Sequence, residues 1–316
     1  MTAPILKFWV RIIKVLTILN LRKRSGFPLR KTNSKKPLNT HNLNLKAISV
    51  PDQFEGFLNT PDIFQDRFSC NYKTFEFPEI EITKEIIAEL EELEHPRNSV
   101  LGKRMESFFE IAIRHSKRYD LTASNIQIID RKQTLGELDF LIFDHERSKT
   151  IHVELVYKLY IYDPSFETEI KRWIGPNRRD SFYEKLEKLK TRQFPLIFKP
   201  ETSEYLDDLG IEVNEIEQQL CFKAHLYLPQ NSRTKNAIGV MGNYYNLTDF
   251  QNMPWKDHLF YSPKKKEWSC SPEKNQNWYS YPELMDNIQS MLADKRSPMV
   301  WMKTQTGYHR YFIVWW

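Results

Sequence analysis

Cysteine is scarce and scattered. Cys70, Cys221 and Cys270 lie far apart in 316 residues, and no CxxC pair occurs. That excludes a disulfide framework and a zinc ribbon, and it fits a reducing, cytoplasmic compartment. There is no P-loop, no GxGxxG, no GxSxG, and no HExxH among the eight histidines. Phosphate-cradling loops, paired-histidine metal sites and serine nucleophile elbows therefore have no support. Long apolar runs are missing too. The opening MTAPILKFWVRIIKVLTILNLRKR is interrupted by Lys7, Arg11 and Lys14, so nothing uncharged approaches the ~20 residues of a membrane span. Its charged apolar stretch, with no small-residue cleavage site after it, argues against a signal peptide. It reads as a loose extension, with a surface-lying amphipathic helix as the alternative.

Acidic residues are absent from positions 1–51, which hold eleven Lys or Arg. The net charge of +5 therefore hides a body that is mildly acidic, so any anion-binding surface on it must be local. Hydrophobic residues make up 41% and aromatics 14%, enough for a real core. The expected organisation is a basic extension over 1–50, a helical lead-in over 51–95, an α/β core over 96–230 and a β-rich extension over 231–316.

Periodicity supplies the elements. Thr83 caps a helix to about Leu93, with Ile86, Ile87, Leu90 and Leu93 on one face. A second helix over 103–118 turns Met105, Phe108, Phe109, Ala112 and Ile113 inward. The period then changes to two. Strands are expected over 126–130, 137–143 and 150–161, followed by a helix over 181–193 and a strand over 220–228. Ser181 and Glu184 have capping-box spacing. The end reads as a hairpin around Thr306 and Gly307. Tyr and Trp residues of the last third read as core before they read as base-stacking platforms.

The stretch GELDFLIFDHERSKTIHVELVYK carries acids where a sheet core prefers apolar groups. Alternate strand residues share a face. Ile151, Val153, Leu155, Tyr157, Leu159 and Ile161 make one apolar face of the later strand. His152, Glu154, Val156, Lys158 and Tyr160 make the other. A turn centred between Glu146 and Arg147 sets Asp139 directly across from Glu154. Side chains so opposed have Cβ atoms about 4.5–5.5 Å apart. Two carboxylates that close repel unless a cation or a shared proton lies between them, and a divalent metal such as Mg²⁺ suits them. Gly136 leaves room for close approach. Glu106, on the flank of the second helix, would reach the pair from above the sheet. His152 reads as structural. The 181–193 helix adds a cationic side: Lys185, Lys188 and Arg192 form a stripe, Arg178 and Arg179 precede it, and Gln193 falls inward. A basic stripe beside a carboxylate centre suits a phosphodiester backbone.

This order of elements, with Glu in the first helix, then GELDFLIFD, then HVELVYK, then a basic helix, resembles the PD-(D/E)XK nuclease superfamily with its restriction-endonuclease-like αβββαβ core. The wording LGKRMESFFE, TLGELDFLIFD and GPNRRDSFYEKLEKL is similar to an uncharacterised bacterial family carried as domain of unknown function 1853. The resemblance covers roughly residues 95–230. It implies a metal-dependent nuclease, with Mg²⁺ (or Mn²⁺) as cofactor and nucleic acid, DNA before RNA, as substrate. Asp139 would match the motif aspartate, Glu154 its second acid and Glu106 the additional helix ligand. The motif lysine departs from the pattern. Val156 stands two residues after the acid, and Lys158 stands four after it, ~13 Å along the strand at about 3.3 Å per residue. A bulge or the long lysine stem would narrow that gap. Otherwise a lysine of the following helix substitutes, or the site is catalytically dead. The rival reading is a non-catalytic nucleic-acid-binding or interaction module on the same fold.

Overall fold

Helical and strand periodicities alternate along the chain, and the resulting elements share one mixed sheet. The computed structural model describes residues 47–64, 72–94, 101–232, 238–255 and 257–316. All but the last four residues of the expected basic extension lie outside these, as does Cys70. No helix among the described residues is long and apolar enough to cross a membrane.

The first helices form where their caps predict. α1 (Val50–Leu58) starts in a reciprocal capping box between Ser49 and Asp52. α2 (Lys84–Glu92) starts where the Thr83 hydroxyl accepts the Ile86 N–H, as its sequence suggests. α3 (Leu101–Arg114) buries Met105, Phe108, Phe109, Ala112 and Ile113, the face that its periodicity assigns. Three antiparallel strands follow: β1 (Tyr119–Asp130), β2 (Gln133–Asp144) and β3 (Lys149–Tyr162). β1 begins seven residues before the expected strand. Its first half, YDLTAS, lacks a clean alternation, and its register against β2 shifts between Leu121 and Ala123.

The crossover from β3 is longer than expected. α4 (Phe182–Lys188) begins at Ser181, whose hydroxyl accepts the Glu184 N–H. The helix then widens into a π-turn over Leu189–Gln193 and tightens over Phe194–Phe198. Pro195 stands at the start of that tight turn, where a missing N–H costs nothing. α5 (Pro200–Asp208) follows, an element with no sequence expectation behind it. β4 (Glu217–Pro229) then lies parallel to β3, with Glu154 beside Leu220.

The C-terminal third extends the same sheet. It contributes β5 (Val240–Asn246), α6 (Leu247–Gln251), β6 (Leu259–Tyr261), α7 (Tyr281–Ala293), β7 (Met299–Lys303) and β8 (Tyr308–Val314). The order across the sheet is β1-β2-β3-β4-β5-β8-β7-β6, with two-residue strands at Lys73–Thr74 and Trp173–Ile174 beside β4 and β3. Among the described residues this is a mixed α/β fold of ten strands and seven helices. The β7–β8 turn falls at Thr306 and Gly307, as expected. Trp255, Trp268 and Trp301 are buried, so they build the core.

β3 is covered on both faces. Its odd-numbered residues from Ile151 to Ile161 pack on Phe108, Phe109 and the α1 phenylalanines. On the other face Val156 and Tyr160 pack under Phe182, Leu189 and Phe194 of the crossover. Charged side chains on that second face therefore lie under a helical layer.

Candidate active site

The β2–β3 turn sets the register that the sequence predicts. Phe140 pairs with Val153 and Asp144 with Lys149, so Asp139 comes next to Glu154. The ladder ends there. β2 continues along β1, and β3 continues along β4, so the strands fork at the two acids. Asp139 closes the fork. Its Oδ2 accepts the Leu155 N–H at 2.9 Å, filling the position that a ladder carbonyl would take. Gly136, further up β2, has its space taken by Leu196, whose Cδ2 lies 2.7 Å from where a Cβ would stand. The close approach foreseen there is a side chain of the crossover.

Glu154 is fully buried. Burial raises the affinity of both carboxyls for protons, and the Glu154 charge raises that of Asp139 further. At neutral pH the pair holds a proton between its two members or takes up a cation. Glu154 Oε1 lies 3.1 Å from His152 Nε2, and Oε2 accepts from the Gln193 side-chain amide. His152 is itself buried, and burial pushes its pKa down to about 4, so the ring is neutral. The Gln218 amide donates to His152 Nδ1 (3.2 Å) and to the Phe194 carbonyl (2.8 Å). That fixes the proton on Nε2, directed at Glu154. His152, read from sequence as structural, thus orients the central acid.

The cation beside the pair is Lys185. Its Nζ donates to Gln193 Oε1 at 2.7 Å, and its charge lowers the pKa of both acids. Burial in turn lowers the pKa of Lys185. The π-turn at Leu189–Gln193 brings Gln193 back over the sheet, so that one amide links Lys185 to Glu154.

Lys158 is not brought to the acids. It lies four residues along β3 and pairs with Asp180, Nζ to Oδ2 2.6 Å. Glu106 is near enough for its charge to act on Asp139, but its carboxylate is drawn onto Lys103, Oε2 to Nζ 2.7 Å. The three acids named from sequence do not close into one set: among the described residues no group of three or more His, Cys, Asp or Glu is arranged to hold a metal. Of the basic residues, Lys188 bears on Glu154 through its charge, and Arg192 is exposed on the π-turn that follows α4. Arg178 is committed elsewhere, to Asp163 at 2.8 Å and to the face of Trp316 at 4.6 Å. Arg179 lines a separate cavity with Lys158.

The donor set at the fork is all oxygen, a buried and a half-buried carboxylate short of positive charge. That fits a hard divalent cation completed by waters, as Mg²⁺ or Mn²⁺ would be. It does not fit a soft metal, because Cys221 and Cys270 are buried in other parts of the core.

No curated protein matches the chain, and no solved structure does. The model of one family matches residues 56–314, spanning the fork, the crossover and the C-terminal strands. The chain belongs to that family, described as a domain of unknown function (DUF1853).

Proposed function

We propose that the protein is a metal-dependent nuclease with a PD-(D/E)XK-like core, acting on nucleic acid, DNA in preference to RNA, in the cytoplasm. The observation that carries this reading is the fork: the buried Glu154 carboxylate and the half-buried Asp139 carboxylate face each other at the point where β2 and β3 part, with a half-buried lysine behind them. Repelling charges of that kind weaken a fold unless a cation belongs between them.

When bound, the cation would supply Lewis-acid charge to a phosphoryl oxygen and lower the pKa of a water. Asp139 and Glu154 would hold it. His152 and Gln193 keep the Glu154 oxygens in place. Lys185 stands in the role that the superfamily gives its motif lysine, offsetting charge that builds on the phosphoryl group or orienting the water. Lys188 and Arg192 would contact neighbouring phosphates. Lys158 and Glu106, assigned to the centre by resemblance, play at most a supporting part in this arrangement. Glu106 would have to leave Lys103 to become a third ligand.

The diversion of Glu106 favours a second reading, a catalytically inactive module that binds nucleic acid through the same face. Cleavage of labelled single-stranded, duplex and branched DNA and RNA with Mg²⁺ or Mn²⁺ separates the two. Cleavage abolished by Asp139→Ala supports the enzyme. Binding that needs no metal, with no cleavage on any substrate, supports the module.

A further inference from the structure

Along β3 the fork leaves a gap. β2 stops pairing at Val153, and the short strand Trp173–Ile174 begins pairing only at Ile161. Between those points β3 has no strand partner on this edge among the described residues. Odd-numbered residues of β3 turn their backbone groups toward it, as the Leu155 N–H does. A cavity of about 340 Å³ occupies the far end of the gap. Tyr157 and Leu159 line it from β3, Gly102 from the first turn of α3, and Trp268 from the C-terminal third.

Three cations border this cavity: Lys158, Arg179 and Lys265. Its single acid, Asp180, is paired with Lys158. Arg179 makes no ion pair among the described residues, and the Lys265 ammonium lies over the Trp268 ring, 5.9 Å from its centre. Two positive charges are therefore left uncompensated around a concave site with an aromatic wall. At Gly102, on the α3 side, no Cβ projects, and the space there is open. Lys158 sits four residues from Glu154, so the cavity lies ~13 Å along the strand from the acids at about 3.3 Å per residue.

We infer that this cavity is a flanking-phosphate subsite, in which Arg179 and Lys265 hold a backbone phosphate of the nucleic-acid strand whose scissile bond lies at Asp139 and Glu154. The inference rests on the nuclease reading for the identity of the strand. Its chemistry, an anion between two free cations beside an aromatic face, stands independently. Lys158 would exchange Asp180 for the incoming phosphate, so the ion pair now seen closes the subsite of the free protein. The departure of the motif lysine from its usual spacing then has a use: at four residues it serves the next stretch of strand instead of the reacting bond.

The test is fluorescence anisotropy with short single-stranded and duplex DNA in EDTA, over a range of salt. Arg179→Ala/Lys265→Ala is compared with wild type and with the charge-preserving Arg179→Lys/Lys265→Arg. The alanine pair is expected to weaken binding tenfold or more at low salt. It should lower the slope of log K against log salt by about 1.4 on single strands and about 1.8 on duplex, the loss of two phosphate contacts. The charge-preserving pair should keep most of the affinity, and under Mg²⁺ the alanine pair should raise KM more than it lowers kcat. Unchanged affinity and slope in a folded alanine pair would overturn the inference. So would a phosphate-induced rise in Tm that needs Arg179 in a protein with no affinity for oligonucleotide, which would make this a small-anion site. Cleavage that needs Asp139 but not Arg179 and Lys265 leaves the nuclease reading standing and removes the subsite alone. Salt-dependent binding that needs the two cations, without cleavage, keeps the subsite and removes the nuclease.

Discussion

Asp139→Asn should make the metal-free protein more stable and, under the proposed nuclease reading, abolish cleavage. In the folded chain Asp139 and Glu154 are held above their ordinary carboxyl values by burial and, for Asp139, by the Glu154 charge. A group whose folded pKa is raised contributes stability that is complete below the unfolded carboxyl pKa, near 4. That stability drains away as pH rises toward the folded values of about 8. The wild type should therefore lose stability between pH 4 and about 8, and the neutral amide should be spared the share that Asp139 contributes, while buried Glu154 keeps its own. Each tenfold change in proton affinity is worth ~1.4 kcal/mol, but Lys185 and the shared proton offset part of it, so about 1–3 kcal/mol at pH 8 is expected. For a chain of this size that is ~2–5 °C in Tm. Asparagine is the right probe because its Oδ1 still accepts the Leu155 N–H. Alanine would leave that donor unpaired at a cost of about 1–3 kcal/mol, cancelling the gain. The assay is thermal unfolding at pH 5 and pH 8, with and without Mg²⁺. Mg²⁺ should raise the Tm of the wild type at pH 8 and leave that of Asp139→Asn nearly unmoved. An asparagine variant less stable than wild type at pH 8, or a difference independent of pH, would refute the repulsion on which the site depends.

Lys185→Met should lower kcat by about 10²–10³, the usual cost of losing one preorganised charge-stabilising group. Lys158→Met should act mainly on KM, as steady-state kinetics on one oligonucleotide would show. Glu217 accepts from Arg147 (2.7 Å) and Lys73 (2.8 Å), which hold its pKa down at about 2. Its stabilisation is present above the unfolded carboxyl pKa and is lost as pH falls toward 2. Lys73 is largely in solvent and Arg147 is partly so, and Glu217→Gln should therefore cost only about 1 kcal/mol at pH 7, vanishing near pH 2 in urea titrations. Gly56→Ala should destabilise by about 1–3 kcal/mol in the same titrations. The new methyl would stand 2.3 Å from the Ser269 carbonyl oxygen, a backbone atom that cannot rotate away, and this outweighs the ~1 kcal/mol that alanine gains in a helix.

The local parts of the fold were legible because their signals are local. A single turn placement between Glu146 and Arg147 sets every β2–β3 pair, and it put Asp139 beside Glu154. Five apolar positions fixed the buried face of α3. What sequence could not carry was partner choice. The alternation in Leu220–Leu228 says that β4 is a strand, but both of its faces are buried, and nothing in it names β3 and β5 as neighbours. Lys158 shows the same limit within the site. Its parity along β3 is that of Glu154, yet parity does not say which way a long stem leans, and Asp180 lies nearer. Lys185 was visible only as one member of a surface stripe. Its link to Glu154 depends on Gln193 returning over the sheet through a π-turn, which no helical periodicity encodes.

β8 is the last strand in sequence but not in space, since it lies between β5 and β7. A chain shortened at Tyr308 would not merely lose an edge. β5 would acquire a bare row of amides and carbonyls, and β6 with β7 would become a two-stranded ribbon, which is marginal by itself in water. The sheet that carries Glu154 near its middle is thus completed by its C-terminal strand, and partial chains should self-associate through β5 before they can lose the acid pair.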